Sequence, residues 1–308
     1  MTVSDSAIAT RRVVFPSRAA RGHTQGTAVV LGLLGVGSFS WSLPATKVAV
    51  PALGAYGMGF GRSVVAATIA GIALRVAGAR FPDRAQRRRL ALVILGVVLG
   101  FPVLSSVAVA AVGSAHSAVV VGLLPAGTAI CAVLRAGERP RWVFWLASGA
   151  GAAAVLVFAA TTGAGLRPAD LLLLLAVAAG GLGYAEGAVL SRELPGWQVI
   201  GWALVLALPL TVPLTALAFT LAPPSLPGAA AWAGIAYMGV AGFVGFIPWY
   251  RGLALGGVAR IGQLQLAQPV LTLGWSAWLL HERVDAATLL AALAVLLCTA
   301  ATQWVRRS

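Results

Sequence analysis

The sequence is short of charge, and of negative charge above all. Its 308 residues hold 8 acidic side chains against 22 basic ones. Charged residues make up 10% of the chain, where a soluble domain carries about 25%. So few charges cannot cover the surface of a water-soluble fold. Cysteine is almost missing too. Cys131 and Cys298 both fall in apolar stretches, without a CxxC or Cys/His spacing, so no disulfide framework or thiolate metal site is expected. Both read as small buried residues. The three histidines, His23, His116 and His281, have no partner at a spacing suited to metal binding or acid–base work. No cofactor or metal is expected. Ser148-Gly149 resembles an intramembrane protease pair, but the preceding glycine is lacking (Leu146 stands there) and no histidine is placed to help. The chain reads as a non-enzyme. The net charge of +14 does not make a nucleic-acid binder, because the basic residues occupy gaps between apolar runs rather than one face with aromatic neighbours.

What the chain has in plenty is apolar sequence: 59% hydrophobic residues and a mean hydropathy of +0.92. A hydrocarbon core of about 30 Å takes about 20 apolar residues per helix. On that measure ten spans are predicted, at 27–47, 54–75, 90–111, 116–136, 143–163, 170–190, 198–221, 230–251, 262–280 and 287–303. Residues 1–25 form a polar, arginine-rich tail. The apolar run from Gly26 to Val50 exceeds the roughly 7–15 residues of a secretory core, so it reads as the first membrane helix. With the N-terminus in the cytoplasm, the inner segments hold 18 basic residues and the outer ones 4, a strong positive-inside bias. Both termini, including 305–308, are then cytoplasmic. One lysine against 21 arginines, with abundant Ala and Gly, fits a GC-rich bacterial genome and hence a bacterial inner membrane.

Pro125, Glu138 and Arg139 recur as Pro269, Glu282 and Arg283, each pair 144 residues apart. Proline, glutamate and arginine seldom coincide by chance in a chain so rich in Ala and Leu, so the spacing indicates an internal duplication. The predicted repeats cover 26–164 and 165–304. Five spans per repeat is an odd number, so the second copy inserts upside down. The predicted fold is an all-α membrane protein of ten helices in two inverted five-helix repeats. Such halves can exchange inward-open and outward-open shapes about a shared central site.

Several stretches resemble the EamA-domain proteins of the drug/metabolite transporter superfamily. These are Gly183-Tyr184-Ala185-Glu186-Gly187 leading into Leu190-Ser191-Arg192-Glu193-Leu194, Tyr250 to Gly257, and Gln263 to Pro269 followed thirteen residues later by Glu282. Pro125 and Gly137-Glu138-Arg139 match more loosely. The resemblance spans about 27–303 and implies a carrier of small metabolites, usually an exporter. Amino acids and amphipathic or cationic compounds are the expected cargo. The first copy departs from the second at Ser42, which falls opposite Glu186.

Glu186 is the one acidic residue well inside a predicted span, and such groups mark pathways, proton relays or ion pairs. Two readings stand: a cytoplasm-side carboxylate for a substrate amine or proton, and a structural pair with Arg251 or Arg192. Gln263, Gln265 and Gln268 precede Pro269, whose missing N–H frees a carbonyl near 265. Gln268 is favoured as pocket lining over interhelical glue. Trp41, Tyr184, Tyr237, Trp249 and Trp275 could face a cavity and accept apolar or cationic groups, with ordinary packing the alternative. Arg62, near an outer helix end, is expected to snorkel outward. The Glu138/Arg139 and Glu282/Arg283 pairs are expected to terminate helices and form salt bridges, and Pro125 to be a packing or hinge element. The expected partners are a small-molecule substrate and the lipid bilayer. The competing functions are an intramembrane enzyme acting on lipid or peptide, an importer and a pore. Oligomeric state is not legible.

Overall fold

The structure, a computed structural model, describes residues 18–136, 142, 145–146, 149–150, 153–154, 157, 167–256 and 261–305. Most of the expected span at 143–163, the Glu138–Arg139 pair and the Gln263 side chain lie outside the described residues. Regular structure among the described residues is helical throughout, with no strand. Six stretches there are long and apolar enough to cross a membrane: Gln25–Leu53, Ala55–Val76, Arg84–Val121, Pro168–Leu190, Gly196–Leu221 and Ala229–Gly256.

The first stretch is two helices, α1 (Arg18–Ser40) and α2 (Ser42–Leu53), broken at Trp41. Pro44 causes the break. It has no N–H to give the Ser40 carbonyl, which instead accepts the Thr272 hydroxyl at 2.8 Å. The Ser38 carbonyl accepts the Tyr237 hydroxyl in the same way. Helix α3 (Ala55–Val76) follows. Asp83 starts α4 (Arg84–Val93) with a capping box: it accepts from Gln86 N at 2.8 Å, while the Gln86 side chain accepts from Asp83 N at 3.0 Å. A π-helix, Ile94–Gly100, then leads into α5 (Phe101–Val121). A straight helix of the 38 residues Arg84–Val121 would be about 57 Å long, nearly twice the apolar core. Gly113, at φ 81° and ψ 173°, cuts it into two arms in a conformation open essentially to glycine alone. Helix α6 is Leu124–Ala136.

The second half runs through α7 (Pro168–Leu190), α8 (Gly196–Leu221) and α9 (Ala229–Val240). A second π-helix, Ala241–Gly245, joins α9 to α10 (Phe246–Gly256). A 3₁₀ turn, Gly262–Leu266, opens α11 (Ala267–Leu280), and α12 is Ala286–Val305. Asp285 caps α12 by accepting from Thr288 N at 2.8 Å. That bond holds its carboxyl below the usual carboxylate range.

Helix α7 lies at the centre, against α4, α5 and α6. Glycines let the backbones meet: a Cβ on Gly96 would stand 2.7 Å from the Gly183 Cα. Lipid tails are as apolar as leucine, so close packing rather than exclusion of water holds such helices together. Leu173, Trp249, Tyr250 and Leu253 fill the interior, whereas Leu33, Ile72, Leu175, Leu210 and Leu293 point outward, as a lipid-facing surface requires. Cys131 and Cys298 are free and only half-buried, a correction to their expected burial.

Candidate functional site

The irregular segments converge. Phe39 at the end of α1, Ser42 at the start of α2, Val97 in the first π-helix, Ala241 and Gly242 in the second, and Gln268 beside Pro269 line one central cavity. A π-helix widens the turn and is common where helices make sites. Val97 and Ala241 stand 144 residues apart, the offset that relates the duplicated prolines. Both halves therefore break at matching positions on the same space.

One wall is aromatic. The Phe39 ring lies 4.8 Å from Phe246 and 6.3 Å from Tyr184, and Phe101 adds a further ring to the lining. The polar groups are few: the Ser42 hydroxyl, the Arg62 guanidinium, the Tyr184 phenol and the Gln268 amide. Gln268 is buried, and its Oε1 lacks a hydrogen-bond partner among the described residues. The cavity has a free volume of ≈ 30 Å³, room for about two or three waters. That space is too small for a metabolite the size of an amino acid.

Polar clusters flank it toward either end of α7. At one end Arg89 Nε donates to Glu186 Oε1 at 2.6 Å, and Arg89 Nη1 bonds Glu193. The Glu186 side chain is 1% exposed and that of Arg89 25%. At the other end His116 Nε2 meets Asp170 Oδ1 at 2.6 Å, and Arg167 N donates to Asp170 Oδ2 at 3.0 Å. Just before His116, the break at Gly113 leaves two amides free, and the Glu282 carboxylate accepts from both, Ser114 N at 3.1 Å and Ala115 N at 2.7 Å, and from the Ser114 hydroxyl at 2.9 Å. His281, left-handed at φ 51°, turns the chain so that Glu282 can reach. Glu282 is in effect a helix cap supplied from another part of the chain.

A family model for EamA-like transporters matches the sequence twice, over residues 26–160 and 167–302. The chain belongs to the EamA-like transporter family. A curated relative, the uncharacterized transporter YdeK of Bacillus subtilis (strain 168), is 45% identical over 274 residues, covering 88% of this chain and 95% of its own. A solved crystal structure superposes with a TM-score of 0.60 over 90% of this chain and 98% of its own, at 21% identity; that likeness is one of fold. The EamA-family protein is a multi-pass membrane transporter with two copies of the family domain.

Of the residues singled out in the sequence, Tyr184 and Gln268 line the central cavity of this EamA-family protein. Trp249 is buried behind them, its ring 5.8 Å from Tyr184. Trp41 and Trp275 form a neighbouring pair, with ring centroids 4.8 Å apart. Trp275 Nε1 donates to Ser40 Oγ at 3.1 Å, and Trp41 with Tyr237 borders a separate apolar groove between α2, α9 and the end of α11. Pro125 and Pro269 are buried in their helices, and Arg283 is exposed. Two expectations are corrected. Glu186 pairs with Arg89, whereas Arg251 and Arg192 are exposed. Arg62 lines the cavity instead of snorkelling to the outer surface. Sequence reasoning missed Arg89, His116–Asp170 and Ser114–Glu282. These contacts join residues 97, 54 and 168 positions apart, and no local motif signals them.

Proposed function

We propose that the protein is an alternating-access exporter of small metabolites, amino acids and amphipathic compounds, in the bacterial cytoplasmic membrane. On this reading ten spans form two inverted repeats, 26–164 and 165–304, with both termini in the cytoplasm. The observation that carries it is the convergence of the two duplicated π-helical segments on one cavity lined by Tyr184 and Gln268. Discontinuous helices meeting near the membrane midplane are how such carriers build a site. Tyr184 and Gln268 contact cargo directly, with Trp249 backing the site. Trp41 and Trp275 line the approach from the outer side, and Glu186 guards the cytoplasmic end. The Glu282–Ser114 contact holds the outer side closed.

Counterflow in liposomes reconstituted with the purified protein tests the proposal, with the cargo recovered chemically unchanged. Gln268→Leu should lower flux about tenfold, the loss of one or two hydrogen bonds in a dry site, at unchanged protein in the membrane. Wild-type flux in Gln268→Leu would return the glutamine to a packing role.

A further inference from the structure

Among the described residues Arg62 is the one cation of the cavity wall, and its circumstances are unusual. It is the eighth residue of α3, about 10 Å along the helix from its outer start. Among the described residues it has neither an ion pair nor a hydrogen bond. The acidic group on the neighbouring stretch of α7, Glu186, is already matched by Arg89. A guanidinium held among apolar helices is costly unless an opposite charge meets it, and an intramembrane charge left open in this way points to a ligand. Arg62 does not stand alone. The Tyr184 hydroxyl and the Gln268 amide line the same space, and the buried Gln268 Oε1 lacks a partner among the described residues. Ser42, the first residue of α2, adds its hydroxyl. Phe39, Phe101 and Phe246 supply an apolar surface next to these donors.

Resting on the carrier reading above, we infer that Arg62, with Tyr184, is the carboxylate-recognition point of the transport site. The protein therefore selects small amphipathic molecules bearing a carboxylate, free or within an amino acid, over amines of the same shape. A planar guanidinium matches a carboxylate through two parallel hydrogen bonds. Gln268 Oε1 can accept only a donor, so it suits the ammonium or amide group of an amino acid. A cationic amine without a carboxylate meets like charge at Arg62 and leaves it unmatched.

Three labelled probes of matched shape decide the matter in counterflow with the reconstituted protein: phenylalanine, 3-phenylpropionate and phenethylamine. The wild-type protein should carry the two carboxylates and exclude the amine. Arg62→Gln should lower carboxylate flux on the order of 10- to 100-fold, the size of a lost charge-assisted hydrogen bond, and Arg62→Lys should retain selectivity at reduced flux. Tyr184→Phe, which keeps the ring and the fold, should lower carboxylate flux severalfold. Carriage of phenethylamine but not the carboxylates would overturn the inference and leave the carrier reading intact. Unchanged carboxylate flux in both Arg62→Gln and Tyr184→Phe would do the same. Flux of none of the three by monodisperse wild-type protein would overturn the assignment of aromatic carboxylates and the proposed cargo with it.

Discussion

Glu186 and Arg62 are both ionisable groups set among apolar helices, and their neighbours treat them differently. Glu186 lies against Arg89, which also holds Glu193. Removing one partner of a fully buried pair costs about 3–5 kcal/mol. Arg89 is a quarter exposed and keeps Glu193, so Glu186→Gln should cost less, on the order of 1–2 kcal/mol, read as a lowered Tm in detergent. That variant should insert normally yet lose flux or its pH dependence, and Glu186→Gln/Arg89→Gln should not recover them. Restored flux in the double variant would make the carboxylate structural. The depth of Glu186 was legible in the sequence, because one carboxylate stood out in an apolar run. Its partner was not: Arg89 belongs to a basic cluster, Arg84 to Arg89, that reads as a topology signal, and only the packing of α4 on α7 picks out the arginine that reaches across. Arg62 was misread because distance along a helix from its end says nothing about which face a side chain occupies.

Among the elements, the bends organise the site more than the straight helices do. The kink at Trp41 follows from one missing N–H at Pro44, and the Thr272 hydroxyl on α11 makes up for it. The chain break at Gly113 is equally local in cause, and Glu282 completes it from the α11–α12 connection. Gly113→Ala places a side chain at φ 81° and sets its Cβ 3.2 Å from Glu282 Oε1. A cost of about 1–3 kcal/mol is expected, measured as a lower melting temperature of the solubilised protein. An unchanged melting temperature would show that the backbone relaxes there without penalty. Pro125 and Pro269, unlike the Gly113 break and its cap Glu282, could be read from the sequence because proline acts through its own backbone geometry. The two π-helices could not. Their segments, Ile94–Gly100 and Ala241–Gly245, are ordinary apolar sequence, and the wide turn is set by what packs against them.

At the scale of the whole molecule, the duplication and the basic bias make one joint statement about sidedness. Reporter fusions after residues 165 and 225 should read periplasmic, and fusions after 80, 138 and 308 cytoplasmic; a cytoplasmic signal at 225 would break the inverted arrangement. Membrane class and duplication were legible because they are written in composition and spacing, which need no tertiary context. The polar outfit of the cavity was legible in only one half: Tyr184 and Gln268 stand in the repeat with the fuller motifs, while Arg62 comes from the other and has Leu206 at its 144-residue counterpart. That uneven charge has an electrical consequence. A fixed charge within the bilayer feels the transmembrane voltage, worth about 2.3 kcal/mol per elementary charge moved through the full field at 100 mV. On the proposed alternating-access cycle, an inside-negative potential pulls the Arg62 charge toward the cytoplasm, so voltage would bias the resting orientation of the empty carrier. Binding a carboxylate anion such as 3-phenylpropionate cancels that charge and frees the loaded form from the bias, whereas a zwitterion brings its own ammonium and leaves the net charge unchanged. Flux of the carboxylate anion would then respond to voltage through the return of the empty protein.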